Sequence, residues 1–222
     1  LNGDDEDIFT AFDSSDNLLD AELMEYLEGD PEWWLDGKIG NALDFNNEIK
    51  QFAKVVGYEN GSNALTISAW VLARSAESWG TVLKNWGDTK SGHFHFGLNS
   101  SGELSNFIGT SNGKTYSATE KQKFPINSWQ HIATTVDGLS IKLYRNGELV
   151  AESRYQGTLI ENDLSSIGIG AKLNDDGTWV SQSAGGYWNG KFDDIGLWSR
   201  SLSHGEILGI YEAGIAGDDL SK

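Results

Sequence analysis

The sequence contains no cysteine, only two prolines and no long apolar run. The absence of cysteine excludes disulfide scaffolds, thiolate zinc sites and cysteine nucleophiles. The longest apolar stretch, Leu65 to Ala73, is interrupted by Thr66 and Ser68 and is far shorter than the ~20 residues of a membrane-spanning helix. Basic residues are also scarce, with 16 Lys and Arg against 33 Asp and Glu, which gives a net charge of −17. From the short apolar stretch we expect a soluble protein with no membrane insertion. Because such an acidic surface repels phosphate, we expect no nucleic-acid partner.

Glycine and tryptophan are abundant, at 27 and nine of the 222 residues. Glycine indicates many turns, and tryptophan indicates a heavy core or a stacking surface. From Leu65 onward, short alternating runs are broken by turn residues about every eight to twelve positions, a spacing typical of β-sandwiches and barrels. The chain begins at Leu1 without a leader, so we expect a part of a larger multidomain chain with loose ends at 1–6 and 217–222.

Eight strands are predicted from alternation and turn chemistry. They are Leu65–Leu72, Thr81–Lys84, His93–Leu98, Trp129–Val136, Leu139–Arg145, Glu148–Ser153, Ser166–Gly170 and Lys191–Trp198. The Asn146-Gly147 turn is a strong hairpin signal. Alternation in the third strand directs the phenylalanines Phe94 and Phe96 toward the core, and His93 and His95 toward the opposite face.

Two further segments have helical features. Ser203 with Glu206 forms a capping box, and Gly214 marks the predicted end of a short C-terminal helix. In the N-terminal third, Leu19, Leu23, Tyr26 and Leu27 recur at helical spacing, which by pattern alone predicts a short helix over 18–28.

Four segments carry a resemblance to a known family. They are Gly37–Phe45, Leu65–Val71, the pair Trp129–Ala133 with Leu143–Val150, and Gly190–Ile195 running into Arg200–Ser203. In this order they resemble the laminin-G-like domains of the concanavalin A-like lectin/glucanase superfamily, in the form found in extracellular bacterial proteins. The resemblance implies an all-β, two-sheet antiparallel jelly-roll sandwich of six or seven strands per sheet, with one short C-terminal helix. It also implies a single domain over 1–222 with its core at about 8–214.

For residues 18–28 the family pattern predicts a strand, in contrast to the helical spacing. Family members have a strand, a glycine-containing turn and a second strand where this chain has Phe12 to Ala21, and here Asp16 and Leu18 replace the expected glycines. We follow the family and expect a strand within 18–28.

Glycoside hydrolases of this fold carry Glu-x-Asp-x-x-Glu on one strand. The nearest match begins with Glu161 and Asp163 but has Ser166 in place of the third carboxylate, so the acid needed for glycoside cleavage is missing. No histidine lies near a Gly-x-Ser-x-Gly nucleophile elbow, and His131 occupies a family position that is usually structural. We therefore expect no enzymatic activity.

The resemblance also implies a structural calcium ion. Its ligands would be Asp13 and Asp193, with Asn17 as a third oxygen donor; calcium binds six to eight such oxygens. An Asx-turn role for Asp13 is the alternative. Asp175 and Asp176 are a weaker second candidate pair.

Sugar rings stack their apolar faces on aromatic side chains and are oriented by a few polar groups. Trp70, Trp129 and Trp198 lie within strand motifs, where a core position is expected. Four other tryptophans lie beside glycine or loop residues, where burial is less assured, and His95 projects from the face opposite Phe94 and Phe96. The predicted ligand-binding residues are therefore Trp79, Trp86, His95, Trp179 and Trp188.

The function expected from this sequence is a non-catalytic, calcium-stabilised module that binds polysaccharide or oligosaccharide. It would belong to a secreted polysaccharide-degrading protein or a cell-surface protein. The alternative is a protein-interaction or spacer module of a bacterial adhesin. A lectin-like module should expose two or more tryptophans on one face, whereas a spacer should bury nearly all nine.

Overall fold

The structure is a computed structural model that describes residues 2–4, 7–27, 33–59, 61–182 and 185–220, with side chains from residue 9 onward. These residues form two antiparallel sheets and one helix. The larger sheet has nine strands in the order β1-β2-β3-β6-β15-β8-β9-β10-β11. Its strands are β1 (Asn2–Asp4), β2 (Asp7–Phe12), β3 (Ala21–Met24), β6 (Phe52–Val56), β8 (Thr81–Lys84), β9 (His95–Leu98), β10 (Glu103–Gly109), β11 (Thr115–Lys123) and β15 (Ser166–Ile169).

The smaller sheet has seven strands in the order β14-β13-β12-β7-β16-β5-β4. Its strands are β4 (Trp34–Asp36), β5 (Asn41–Phe45), β7 (Leu65–Ala73), β12 (Trp129–Val136), β13 (Ser140–Arg145), β14 (Glu148–Arg154) and β16 (Gly190–Trp198). The main core fills the space between the two sheets and draws side chains from both, so the expected jelly-roll sandwich is confirmed. The nine-stranded sheet is larger than the six or seven strands that the resemblance implies.

The eight predicted strands are all present, with ends that differ by at most two residues. Phe94, just before β9, and Phe96 and Leu98 within it are fully buried in the core, as alternation predicts. No strand is predicted between residues 99 and 128, where β10 and β11 form a long hairpin. The strand pattern of this pair is weak in the sequence, because β11 is largely polar and its last three residues are exposed.

Residues 21–24 form strand β3, so the helix predicted from spacing is wrong and the family expectation is right. Ala21 and Leu23 face the core while Glu22 is exposed, which is the alternation of a strand paired on both sides by β2 and β6. Leu18, which replaces a family glycine, takes a left-handed backbone with φ 52° and is 72% exposed. The turn is therefore kept without glycine.

Helix α1 spans His204–Ala216 and starts with the predicted capping box, in which the Glu206 N–H donates to the Ser203 side chain and the Ser203 N–H donates to the Glu206 carboxylate at 2.8 Å. The prediction that the helix ends at Gly214 is wrong, because its left-handed C-cap is Gly217. Gly214 instead lies inside the helix, where a Cβ atom would sit 2.2 Å from the Trp70 Nε1. Within the described residues, no helix combines the length and the apolar character needed to cross a membrane.

A short hairpin, residues 172–181, covers part of the outer face of the nine-stranded sheet. It is closed by a bridge between Leu173 and Val180. Two glycines let it lie flat on β15: a Cβ at Gly168 would lie 2.1 Å from the Ala171 carbonyl oxygen, and one at Gly177 would lie 2.3 Å from the Ser166 hydroxyl. We call this segment the outer-face hairpin.

Candidate functional site

Two of the nine tryptophans are exposed, Trp79 and Trp179, each at 43%. Both lie on the outer face of the nine-stranded sheet. The Trp179 ring packs edge-on against Phe52 of β6 at 5.7 Å. The Trp79 ring covers His95 of β9 at 5.9 Å and Phe107 of β10 at 5.6 Å. One face of the molecule therefore presents two aromatic platforms, which is the arrangement expected of a lectin-like module.

Trp179 forms one wall of an open groove of about 430 Å³, the Trp179 groove. Its lining combines aromatic, aliphatic and charged groups from three separate parts of the chain. The lining residues are Glu25, Ile49, Lys50, Phe52, Trp179, Val180, Ser181, Gln182, Gly185 and Tyr187. Mixed apolar and polar lining of this kind is typical of small-molecule sites.

The position of Trp179 is set by the turn of the outer-face hairpin. The Asn174 side-chain oxygen accepts the Thr178 N–H at 3.1 Å and the Trp179 N–H at 3.2 Å. The Asn174 N–H in turn donates to the Trp179 carbonyl at 2.8 Å. Because the backbone on both sides of the turn is held by one side chain, the indole is presented on an ordered support.

Asp175 anchors the same turn to the loop after β8. Its carboxylate accepts the Thr89 hydroxyl at 2.6 Å and the N–H groups of Thr89 and Lys90 at 2.9 and 3.1 Å. The Thr89 hydroxyl and N–H lower the pKa of Asp175 to about 2. Asp176 accepts the Thr178 N–H at 3.0 Å. Both members of the second predicted metal pair thus have a role in holding the hairpin.

Polar groups that could bond sugar hydroxyls also line the Trp179 groove. Burial, and then the nearby Glu25 carboxylate, raise the pKa of Tyr187, which keeps its hydroxyl protonated as a donor and acceptor. Glu25 and Lys50 both have a left-handed backbone with φ 64°, which costs free energy for residues with a Cβ atom. A carboxylate, an ammonium and a phenol beside an exposed indole can orient a polyol.

Trp86 lies in a different place, a cleft of about 230 Å³ on the other flank of the hairpin. Its ring is half-buried beside Lys84. Burial, and then the charge of Lys172, lower the pKa of Lys84 to about 7. Lys90 at the same cleft pairs with the Asp163 carboxylate at 2.8 Å.

Two predicted ligand residues are buried. His95 is 2% exposed beneath Trp79 and Phe107, so the expectation that it projects from an open surface is wrong. Trp188 is 1% exposed and packs against Phe192 at 5.2 Å in the core between the sheets. Neither ring presents a face that a sugar could stack on in this conformation.

Of the three tryptophans expected in the core, Trp70 is 2% exposed and confirms the expectation. Trp129 and Trp198 are only partly buried. Neither lies on the face that carries Trp79 and Trp179, because both belong to strands of the seven-stranded sheet.

The carboxylate of the predicted calcium ligand Asp13 is hydrogen-bonded within its own loop. Its carboxylate accepts the N–H groups of Ser15 and Leu19, each at 2.9 Å, and the Ser15 hydroxyl at 2.8 Å. These bonds lower its pKa, although partial burial opposes them. The exposed Asn17 donates from its side-chain nitrogen to the Ser15 hydroxyl oxygen at 3.3 Å. The loop is therefore built as an Asx turn, the alternative named above.

Asp193 belongs to β16 in the other sheet and binds a different loop. One of its carboxylate oxygens accepts the N–H groups of Lys38 and Ile39 at 2.8 and 2.7 Å. Gly37 makes this approach possible, since a Cβ there would lie 2.5 Å from the same oxygen. Among the described residues, no three histidine, aspartate or glutamate side chains come together as a metal site. Asp13 and Asp193 thus each bind the backbone of a different loop, and calcium stays a prediction of the resemblance.

In the segment that most resembles the hydrolase motif, the two carboxylate residues lie outside any strand. Glu161 and Asp163 precede β15, which begins at Ser166, so strand alternation does not direct them into one cleft. Glu161 is exposed, and Asp163 is paired with Lys90. His131 bonds the Ser68 hydroxyl at 2.8 Å but is fully buried.

Four residues of the Trp179 groove are not predicted from the sequence: Tyr187, Glu25, Lys50 and Gln182. Tyr187 carries the same local signal as Trp188, since both follow Gly185-Gly186, and only the structure shows that Tyr187 faces the groove and Trp188 the core. The charged residues have no local signal, because they reach the groove from distant strands and turns.

Comparison with known proteins agrees with this geometry. The Laminin_G_3 family, described as the concanavalin A-like lectin/glucanases superfamily, matches residues 46–208, which is more than half of the chain. The chain belongs to this family. A search of curated protein sequences returned no significant match.

Among solved structures, domain 4 of AbnA, a GH43 extracellular arabinanase from Geobacillus stearothermophilus in complex with arabinotriose, is similar with a TM-score of 0.63 and 20% identity. The alignment covers 85% of this laminin-G chain and 86% of that one. The binding domain of Paraclostridial Mosquitocidal Protein 1 has a TM-score of 0.66 at 19% identity, over 92% of this chain and 51% of that one.

The binding domain of botulinum neurotoxin DC in complex with SialylT has a TM-score of 0.62 at 14% identity, over 93% of this chain and 51% of that one. The chain spans about half the length of the two toxin domains. At these identities the similarity establishes the fold alone, and all three structures are described as domains of larger proteins.

Proposed function

We propose that this laminin-G-like chain is a non-catalytic carbohydrate-binding module whose primary site is the Trp179 groove. The observation that carries the proposal is the exposed indole of Trp179, on a hydrogen-bonded turn, in an open groove that Tyr187, Glu25, Lys50 and Gln182 also line. The indole supplies a flat apolar surface for the C–H face of a sugar ring, and the polar groups select its orientation.

The ligand would be a polysaccharide or an oligosaccharide derived from it. The similar arabinanase domain was solved with arabinotriose, which supports an oligosaccharide as the ligand class. The net charge of −17 favours uncharged glycans over strongly anionic ones. The module would serve a secreted polysaccharide-degrading protein or a surface protein by holding it on its substrate.

The proposal is tested by affinity electrophoresis of the full chain through native gels that contain soluble polysaccharides, including arabinan. We expect at least one polysaccharide to retard the wild type and Trp179→Ala to migrate freely. The matched control is Leu139→Ala, which removes a 74% exposed side chain from the turn between β12 and β13 in the other sheet. This control should be retarded like the wild type.

Melting curves separate lost binding from lost folding. Trp179 is 43% exposed and its ring packs on Phe52, so Trp179→Ala should cost only about 1 kcal/mol of stability. Free migration of the wild type through every gel would overturn the proposal and favour a spacer or a protein-binding role. Equal retardation of Trp179→Ala would show that the site lies elsewhere.

A further inference from the structure

Trp79 and Trp179 stand on the same sheet face but on different strands. Trp179 lies over β6, and Trp79 lies over β9 and β10. In the sheet, β15 and β8 separate β6 from β9. Three strand spacings correspond to about 14 Å, which exceeds the width of a single sugar ring. One ring therefore cannot stack on both tryptophans.

The two platforms lie about two residues apart along the strands. Antiparallel pairing aligns Lys54 of β6, Gly168 of β15, Lys84 of β8 and His95 of β9 in one row across the sheet. His95, on which Trp79 packs, is therefore level with Lys54, which is two positions from Phe52, on which Trp179 packs. Two residues of a strand correspond to about 7 Å, so a ligand that crosses the strands obliquely meets both indoles.

A segment without side chains connects them. Gly185 lines the Trp179 groove, and its carbonyl accepts the Lys172 N–H at 2.7 Å. The next residue, Gly186, accepts the Thr81 N–H at 2.9 Å, and a Cβ on it would lie 2.5 Å from the Trp79 carbonyl oxygen. The glycine pair thus forms a low strip from the groove to the backbone of Trp79.

Trp79 is held in an unusual backbone conformation, with φ 63°. A left-handed conformation is costly for a bulky residue, and such residues concentrate at functional sites. Here the conformation brings the indole over His95 and Phe107 with 43% of its surface still open.

We propose that Trp179 and Trp79 bind one linear oligosaccharide that crosses the strands along the Gly185-Gly186 strip. The inference rests on the proposed function, since it extends the Trp179 groove by a second subsite. Engaging both platforms with one chain makes the second contact intramolecular, so affinity rises with chain length until the chain spans both.

The test uses the polysaccharide that retards the wild type, partially hydrolysed and separated by length from the disaccharide to the octasaccharide, in calorimetric titrations. We expect wild-type affinity to increase with length and then level off. Trp79→Ala should bind the shortest oligomers like the wild type and the longest about tenfold more weakly, which equals about 1.4 kcal/mol. Trp79→Gly, which also removes the backbone strain, should bind like Trp79→Ala, and Leu139→Ala like the wild type.

The outcomes separate the two proposals. If Trp179→Ala abolishes binding while affinity is independent of length, or while Trp79→Ala binds the longest oligomers normally, the second subsite is overturned and the proposed function stands. If no polysaccharide binds the wild type, both fail. A loss at every length in Trp79→Ala, with an unchanged melting temperature, also contradicts a subsite reserved for longer chains.

Discussion

The two sheets each carry a tryptophan–histidine pair on the outer face, and the two tryptophans differ in solvent exposure. Trp70 and His131 lie on the seven-stranded sheet with ring centroids 5.3 Å apart, and Tyr211 of α1 stacks on Trp70 at 5.7 Å. Trp79 and His95 lie on the nine-stranded sheet at 5.9 Å, and Trp79 is 43% exposed against 2% for Trp70.

The difference comes from what lies above each pair. Helix α1 follows β16 and packs over Trp70, which is thereby buried, and Gly214 leaves room for the indole. On the other sheet the outer-face hairpin covers β15, and Trp79 itself is the cover for His95. Both histidines are therefore buried, and the two tryptophans differ: Trp70 serves the packing of one face, whereas Trp79 keeps an exposed ring on the other.

The largest contrast is expected in stability. Trp70→Ala should lower the free energy of unfolding by about 3–5 kcal/mol, because it leaves a cavity beneath the helix. Trp79→Ala should cost about 1 kcal/mol, since much of that ring is already in water. Urea unfolding of both variants measures the contrast, and equal losses would show that Trp79 is a core residue like Trp70.

Both histidines should make folding sensitive to mild acid. Burial lowers the pKa of His95 to about 3 and that of His131 to about 4. In the unfolded chain both have a pKa near 6.5, so the unfolded state gains protons first as pH falls. Stability is complete above about pH 6.5 and should decrease below it by about 1.4 kcal/mol per pH unit for each histidine.

Urea unfolding between about pH 7.5 and about pH 5 checks this dependence. Carboxylates with lowered pKa values, such as Asp175, lose their contribution only in stronger acid, so the two pH windows are distinct. A flat stability profile down to about pH 5 would mean that both histidines are accessible to protons in the folded state.

Two glycines of α1 provide a matched pair. Gly214→Ala should destabilise the fold by about 1–3 kcal/mol, because the new methyl group meets the Trp70 indole. Gly209→Ala should stabilise it by about 0.5–1 kcal/mol, because a Cβ there contacts nothing and alanine favours helix. Melting curves of both variants suffice, and a stabilised Gly214→Ala would contradict the close contact between α1 and Trp70.

The cover over His95 can be removed separately. In Trp79→Ala, exposure of the imidazole should raise the pKa of His95 by about one unit or more toward its ordinary value. The pKa of His131 should stay unchanged beneath α1 and acts as the internal control. NMR titration of the histidine ring protons gives both values, and an unmoved His95 would show that Phe107 and the sheet bury it without Trp79.

The smallest effect is expected from metal removal. Because N–H groups already bind the carboxylates of Asp13 and Asp193, excess EDTA should shift the melting temperature by less than about 1 °C. A drop of several degrees, reversed by calcium, would support the calcium site that the family resemblance implies.

The sequence predicted the elements whose signals are local. Turn chemistry at Asn146-Gly147 and a capping box at Ser203 gave the β13–β14 hairpin and the start of α1 correctly. Spacing alone predicted a helix where β3 lies, because pairing with β2 and β6 overrides a weak helical pattern.

The site was predictable only in part, for the same reason. Trp179 stands out because it sits in a glycine-containing turn, and it is exposed as expected. Trp188 has a similar neighbourhood in sequence but is buried between Phe192, four residues on, and Phe124, which is distant in the chain. Local sequence does not encode which long-range partners cover a ring.

The proposed site places the glycan on the outer face of the nine-stranded sheet. Hydroxyl-radical footprinting with and without the retarding polysaccharide measures this directly by mass spectrometry. We expect protection of Trp179 and Tyr187, with no change at the exposed Leu139 and Ile215. Protection of Trp198 beside α1, with Trp179 and Tyr187 equally reactive in both states, would contradict it.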